Sequence, residues 1–327
     1  MQGPLGLVGV LPLKNIGVRI YTTKVSSLDP WFITGFSDAE SSFSFSVSSH
    51  PASTLGWTPT AVFTIGIHSK DVVILEGFKS YFEVGSIIFE KNRNVARYKI
   101  SNPKELCEIV IPHFEKYPLI TQKKADFLLF KEAVTKIYNR VHLNQKGLEE
   151  LVSLKASSNL GLSTKLKMSF PHIIPAPRTE IKNKIMPDLY WFVGFTNGDG
   201  SFAIRKSKNS TLRHGYQYSL SFEVSQHSRD IDLFKSLKDY FGCGKVIKDT
   251  KQERCRFFVT DSKDNQTKII PIFKKYSMLG FKQLDFQDFC KGAEIIASKG
   301  HLTEEGIKKL DEIRGGMNER RAWIEEK

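Results

Sequence analysis

Two aromatic stretches of this chain are copies of one element, and the distance between them restricts the fold more than any other feature. Trp31-Phe32-Ile33-Thr34-Gly35-Phe36-Ser37-Asp38-Ala39-Glu40 and Trp191-Phe192-Val193-Gly194-Phe195-Thr196-Asn197-Gly198-Asp199 are both apolar runs that end in a carboxylate. Glu40 and Asp199 lie 159 positions apart, and the same separation relates Phe63 through Asp71 to Phe222 through Asp230 and Tyr81-Phe82 to Tyr240-Phe241. It also relates Ile111 through Tyr117 to Ile270 through Tyr276, and His142-Leu143 to His301-Leu302. One register held through five blocks marks a tandem duplication, so the chain is two similar halves.

Each motif run reads as a short buried helix. Gly35 with Ala39, and Gly194 with Gly198, put small residues four apart on one face, where two backbones can approach closely. Asp29-Pro30 supplies an N-cap and a first-turn proline for the first copy, and Pro187-Asp188 marks the start of the second. After each run the pattern changes to period two. Phe43, Phe45 and Val47 face one way, while Ser42, Ser44, Ser46 and Ser48 face the other. In the second half Phe202 and Ile204 alternate with Ser201, Ala203, Arg205 and Ser207. The basic segment Lys206-Ser207-Lys208 then leads through Arg213 to a strand where Tyr218, Leu220, Phe222 and Val224 oppose Ser219, Ser221, Glu223 and Ser225. The matching strand of the first half runs through Val62 to Ile65 and includes Thr64. A helix, a hairpin (residues 86–101 and 245–260, the latter opening at Lys245) and closing helices complete each half. The order α-β-β-α-β-β-α-α gives an α+β fold of two pseudo-symmetric αββαββα halves.

Residues 28–155 and 188–327 are the expected halves. Residues 156–187, Lys-rich with Ser157-Ser158, Pro171, Pro175 and Pro177, break the duplication and read as the linker. Residues 1–27 contain no Asp or Glu and carry Lys14, Arg19 and Lys24. Two readings fit that composition, an organellar targeting segment and an unstructured leader left by an upstream reading frame.

Lys and Arg number 48 against 35 acids, and the net charge of +13 favours a polyanionic partner. No apolar run reaches the length of a membrane span, so no membrane role is expected. Cys107, Cys243, Cys255 and Cys290 lack C-x-x-C spacing and read as reduced thiols, with neither a disulfide frame nor a zinc site.

Two equivalent halves can bury their aromatic helices against each other across a pseudo-two-fold axis, and Glu40 then meets Asp199. Carboxylates at adjacent helix C-termini repel each other unless a cation sits beside them. Magnesium suits such a site, because it takes oxygen ligands, keeps waters and needs only one or two carboxylates with a phosphate. The polar strand faces (Ser42, Ser44, Ser46, Ser48 and Thr64; Ser201, Ala203, Arg205, Ser207, Ser219, Ser221, Glu223 and Ser225), flanked by Lys206, Lys208, Arg213 and Lys245, form a surface of the width that enters a major groove.

The two runs resemble the LAGLIDADG motif of homing endonucleases, aligned as Ile33 to Ser41 and Phe192 to Gly200. From about Leu28 onward the chain is similar to the single-chain, I-OnuI-like type found in fungal mitochondrial introns. Gly35 through Glu40, Phe114 through Lys123 and His301-Leu302-Thr303 carry that similarity. The resemblance implies motif helices at a central interface, two sheets forming a saddle over double-stranded DNA, a monomer, and a mitochondrial setting. It implies hydrolysis of both strands of a long, asymmetric target with Mg2+, for which Mn2+ can substitute while Ca2+ supports binding only. Glu40 and Asp199 match the family's metal-binding acids, and the backbone carbonyls of Ala39 and Gly198 its further metal ligands.

Two departures bear on activity. Ser41 stands where the family usually has Gly, as at Gly200, and where that position needs close approach of backbone to DNA the added hydroxymethyl group is expected to slow cleavage or shift the strand. Glu40 and Asp199 differ by one methylene, which is expected to make the two strands cut at different rates. The alternatives are a maturase that binds intron RNA on the same scaffold and a DNA-binding protein that does not cut. Loss of an acid would favour the maturase, and both acids are present; the DNA-binding reading predicts tight magnesium-independent binding without cutting, with Ser41 its only support.

Overall fold

A computed structural model describes residues 28–182 and 185–321. The leader readings for residues 1–27 fall outside the described residues. In the first half, α1 (Pro30–Glu40) leads directly into β1 (Ser41–Ser49) and β2 (Trp57–His68), followed by α2 (Val72–Phe82), β3 (Ser86–Glu90) and β4 (Val95–Ile100). Three helices close the half: α3 (103–116, with a π turn over Leu106–Val110), α4 (Lys123–Tyr138) and α5 (Gln145–Ala156). The short α6 (Thr164–Ser169) lies in the connector. The second half repeats the series as α7 (Leu189–Asp199), β5 (Gly200–Lys208), β6 (Tyr216–His227), α8 (Ile231–Phe241), β7 (Lys245–Asp249), β8 (Arg254–Val259), α9 (262–275), α10 (Gly280–Ala297) and α11 (Glu304–Gly315).

The sequence pattern predicts two closing helices per half, and three form. The extra break falls at Tyr117, which is extended (φ −121°, ψ 77°) because Pro118 disfavours helical backbone in the residue before it. Tyr276, with no proline after it, has nearly the same geometry (φ −113°, ψ 96°). The duplication thus holds the break even where the proline is missing.

Each half builds one antiparallel sheet, ordered β1-β2-β4-β3 and β5-β6-β8-β7. The registers are equivalent: Ser42 pairs with Thr64 and Ser201 with Glu223. One face of each sheet lies on aromatic rings. Phe43 packs against Phe63, Phe114, Phe127 and Phe130 with centroids 5.1, 5.0, 5.2 and 5.5 Å away. Phe202 does the same with Phe222, Phe273, Phe286 and Phe289 at 5.2, 5.2, 5.3 and 5.3 Å. These five-ring clusters occupy equivalent positions, so the duplication conserves volume and shape in the core as well as hydrophobicity.

The halves join along α1 and α7. Asp29 accepts a hydrogen bond from the Trp31 N–H at 2.8 Å and Asp188 one from the Tyr190 N–H at 2.6 Å, so both helices start where their caps predict. Gly35 faces the Trp191 carbonyl and Gly194 the Phe32 carbonyl so closely that a Cβ at either position would overlap the opposite backbone. The small-residue spacing therefore sets the closeness of the crossing. Buried Asp38 ties the halves further: it accepts from the Trp191 indole at 2.9 Å, the Thr121 hydroxyl at 2.6 Å and the Ile120 N–H at 3.1 Å. The connector is docked on the first half, where the Ala176 N–H donates to Ser153 O at 3.1 Å and buried Phe170 meets the Trp57 ring.

Candidate active site

The two acids that end the motif runs are the last residues of α1 and α7, and the crossing brings them together. Gly198 sits against the Ala39 side chain and Glu40 Cγ. Burial, then the charge of Glu40, push the Asp199 carboxyl up to about 7. Burial also holds Glu40 above its ordinary value, against the pull of Lys123 and Lys282. Gln226 donates to Asp199 Oδ2 at 2.8 Å and fixes that carboxylate. Ile67, the equivalent of Gln226 in the first half, has no amide to offer Glu40. Glu40 opens instead into a cleft lined by Ser42, Thr64, Gly66, Glu90 and Arg97.

Two lysines complete the site, and nothing in the motif runs announces them. Lys123, at the start of α4, donates to Ser37 O at 2.9 Å and Ala39 O at 3.0 Å. Its equivalent Lys282, in the first turn of α10, donates to Gly198 O at 2.9 Å and Gly200 O at 2.6 Å. Burial lowers the pKa of both ammonium groups, and the neighbouring Glu40 and Asp199 pull each back up. Their signal in the sequence is the repeat itself, since Lys123 and Lys282 stand at the common offset of 159.

A divalent cation fits this donor set. Two carboxylates lie at the helix ends beside the carbonyls of Ala39 and Gly198, and hard oxygen donors of this kind suit a small divalent ion, while burial above all, with the charge of Glu40, raises Asp199. Each carbonyl keeps a lone pair free of its lysine. Among the described residues no group of three or more His, Cys, Asp or Glu gathers as for a soft metal or a closed all-protein cage.

Ser41 keeps its side chain within the helix end. Its hydroxyl turns back to donate to Ser37 O at 2.7 Å and is buried. At Gly200 a Cβ would overlap both the Thr196 side chain and the Thr196 backbone carbonyl, and the residue equivalent to Thr196 in the first half is the smaller Ser37.

Above the acids the sheets present their polar faces. Ser42, Ser44, Ser46 and Ser48 share an outward face with Thr64, and Ser46 and Thr60 exchange a hydroxyl hydrogen bond at 2.9 Å. In the second half Ser201, Ala203, Arg205, Ser207, Ser219, Glu223, Ser225 and Lys245 lie on the matching face, with exposed Arg213 in the turn between β5 and β6. Glu223 gathers Arg205, Arg254 and Arg256 at 3.6, 3.6 and 3.3 Å. Arg254 and Arg256 were missed because a Phe- and Cys-containing strand reads as core until its register shows which alternate residues face outward.

Three expectations for this surface are corrected. Lys206 lies on the opposite face, opposite Tyr218, where it bonds Asp311 at 2.7 Å and sits 4.3 Å over the Tyr216 ring. Lys208 shares that strand face, opposite Tyr216, although it is exposed. Period-two alternation separates both from Arg205 and Ser207, so adjacency in a basic segment misled. Ser221 has outward parity but is buried at 2% exposure, its hydroxyl without a hydrogen-bond partner among the described residues.

All four cysteines are free thiols, and among the described residues no helix is long and apolar enough to cross a membrane.

Residues 33–134 and 192–293 each match the LAGLIDADG endonuclease family. "Probable intron-encoded endonuclease 2" of Neurospora crassa is 38% identical over 303 residues, covering 89% of this chain and 66% of the relative. The chain thus spans just under two thirds of that relative's length. The crystal structure of the LAGLIDADG homing endonuclease I-SmaMI bound to cleaved DNA superposes with a TM-score of 0.88 at 42% identity, over 90% of this chain and 98% of that one. I-SmaMI bound to an uncleaved DNA target in the presence of calcium ions gives 0.86 at 42% identity, over 89% and 99%. With the family matched twice at the offset of its own duplication, and the folds agreeing, the chain belongs to the LAGLIDADG endonuclease family.

Proposed function

We propose that this chain is a site-specific, divalent-metal-dependent endonuclease that hydrolyses both strands of a long, asymmetric double-stranded DNA target as a monomer. One observation carries the reading: Glu40 and Asp199 converge between two saddle faces, at a helix crossing too close for any residue but glycine. The DNA-bound neighbours support the substrate, and the intron-encoded name of the Neurospora relative supports a mitochondrial setting.

Glu40, Asp199 and the carbonyls of Ala39 and Gly198 would hold Mg2+, with Mn2+ able to substitute and Ca2+ supporting binding only. Bound there, the ion supplies Lewis-acid polarisation of the scissile phosphates and lowers the pKa of a water. The chain's own residues do the rest. Gln226 holds Asp199 in one orientation. Lys123 and Lys282 fix the terminal carbonyls of the motif helices and put positive charge where the phosphates gain negative charge. The outward serines, Thr64, Lys245 and the arginines around Glu223 meet bases and backbone in the groove.

The test is selection of cleaved sites from a randomised duplex library in magnesium, with calcium and chelator controls. Glu40→Gln is expected to slow cleavage by about 10³-fold or more while binding in calcium persists. Cleavage unchanged in that variant refutes the metal role. Binding to an intron RNA without any DNA product favours the maturase reading.

A further inference from the structure

Two hydrogen bonds cross between the halves at equivalent places. Asp71 Oδ1 accepts from the Phe281 backbone N–H at 2.7 Å, and Asp230 Oδ1 accepts from the Gln122 backbone N–H at 2.9 Å. Asp71 corresponds to Asp230, and Gln122 to Phe281, at the common offset. Each acid stands immediately before a helix of its own half, α2 or α8, yet neither side chain caps that helix. Conversely, α4 and α10 begin without a side-chain cap from their own N-cap residues. Each half therefore lends its carboxylate to the other half's helix.

The chain is shaped around this exchange. Gly280 adopts φ +65°, and a Cβ there would overlap the Asp71 carboxylate. A carboxylate bonded to an N–H at the N-terminal end of a helix makes a charge-assisted bond that also opposes the positive end of the helix dipole. It fixes the rotation of the first turn about the helix axis. The residue after each anchored N–H is one of the site lysines: Lys282 follows Phe281, and Lys123 follows Gln122. Lys282 must keep both Gly198 O and Gly200 O within reach, and Lys123 both Ser37 O and Ala39 O. A twist of the first turn displaces an ammonium group at the end of a four-carbon stem.

We propose that Asp71 and Asp230 are positioning residues for the opposite half's lysine, so that each half of the site is set by a carboxylate from the other half. The inference rests on the nuclease reading above, with the lysines beside the scissile phosphates.

The test follows each strand separately on a duplex with distinguishable 5′ labels, comparing Asp71→Ala, Asp230→Ala, Lys123→Met and Lys282→Met. Asp71→Ala is expected to reproduce the strand bias of Lys282→Met, with about a tenfold loss on that strand and a smaller one on the other, and Asp230→Ala that of Lys123→Met. Asp71→Asn and Asp230→Asn keep an acceptor for the N–H and should recover most of the rate. In metal-free protein, amide hydrogen exchange should rise in the first turn of α10 for Asp71→Ala and of α4 for Asp230→Ala. Where an alanine variant is unstable, Asp71→Ser and Asp230→Ser shorten the side chain and carry the same expectation. Equal slowing of both strands, or a bias matching the lysine of the same half, overturns the proposal. If the unsubstituted protein binds but cuts neither strand, the nuclease reading fails instead.

Discussion

The two halves are alike below their sheets and unlike above them. Below, five equivalent rings fill each core, equivalent lysines reach equivalent helix ends, and equivalent acids are exchanged across the axis. Above, the first sheet offers hydroxyls along β1 and β2, while the second offers Arg205, Arg254 and Arg256 around Glu223. One pair makes the contrast plain. Arg97 and Arg256 are equivalent, but Arg97 bonds Glu90 on the outermost strand at 2.9 Å, whereas Arg256 is drawn to Glu223 on the second strand at 3.3 Å. The same arginine thus leans toward opposite edges of its sheet in the two halves. The shared fold constrains the interior and leaves the outer faces free to differ.

The largest expected effect tests the symmetric part. Gly35→Ala and Gly194→Ala should each destabilise the protein by about 3 kcal/mol or more, since backbone carbonyls cannot yield to the added Cβ. Chemical denaturation measures this, and a strong effect from only one of the two would break the equivalence of the halves. Next comes the difference at the helix ends. Gly200→Ser alone should cost roughly 1–3 kcal/mol by overpacking against Thr196. Thr196→Ser with Gly200→Ser removes the side-chain overlap but leaves the contact with the Thr196 carbonyl, and should recover only part of that loss in the same assay.

A third difference lies in the cores. His113 is buried in the first half, where Thr34 donates its hydroxyl to Tyr117 O and so receives the Nε2–H at 3.2 Å, while the Tyr81 hydroxyl donates to Nδ1 at 2.9 Å. The second half has Ile272 and Val193 in place of His113 and Thr34. Burial pushes the His113 pKa down to about 3 from 6.5. The folded state then holds histidine neutral while the unfolded chain binds a proton, so this contribution is complete above pH 6.5 and is lost as pH falls toward 3. The slope should reach at most about 1.4 kcal/mol per pH unit, and the double substitution Thr34→Val with His113→Ile should remove it from acid denaturation curves.

The smallest effect sharpens the contrast of the faces. Glu223→Gln frees three arginines from their shared carboxylate and should raise non-specific DNA affinity while relaxing base preference several-fold, by about 1 kcal/mol, under the second sheet only. Cleavage profiling of both half-sites reads this directly. Equal relaxation in the two half-sites would count against it.

Much of the molecule could be read before any coordinates. The aromatic runs, their small-residue spacing and their caps place the central helices, and the constant offset makes Glu40 and Asp199 one site. Less legible were Lys123 and Lys282, because a lysine in an amphipathic helix looks solvated until the tertiary fold turns it inward. Lys206 failed in the opposite direction: a lysine in a basic strand looks like a DNA contact until Asp311, 105 residues later in the chain, takes it up on the other face.

By itself the sequence determined what is periodic or repeated: the motif helices, the alternating strands, the duplication and the two terminal acids. Those follow from local geometry, in which side-chain direction is set by periods of 2 and 3.6 residues. Only the tertiary structure decided which charges are buried together, how Ser41 is accommodated, and that each half's aspartate anchors the helix carrying the other half's lysine. These depend on groups far apart in the chain, whose approach is fixed by packing across the two-fold axis and leaves no local period to read.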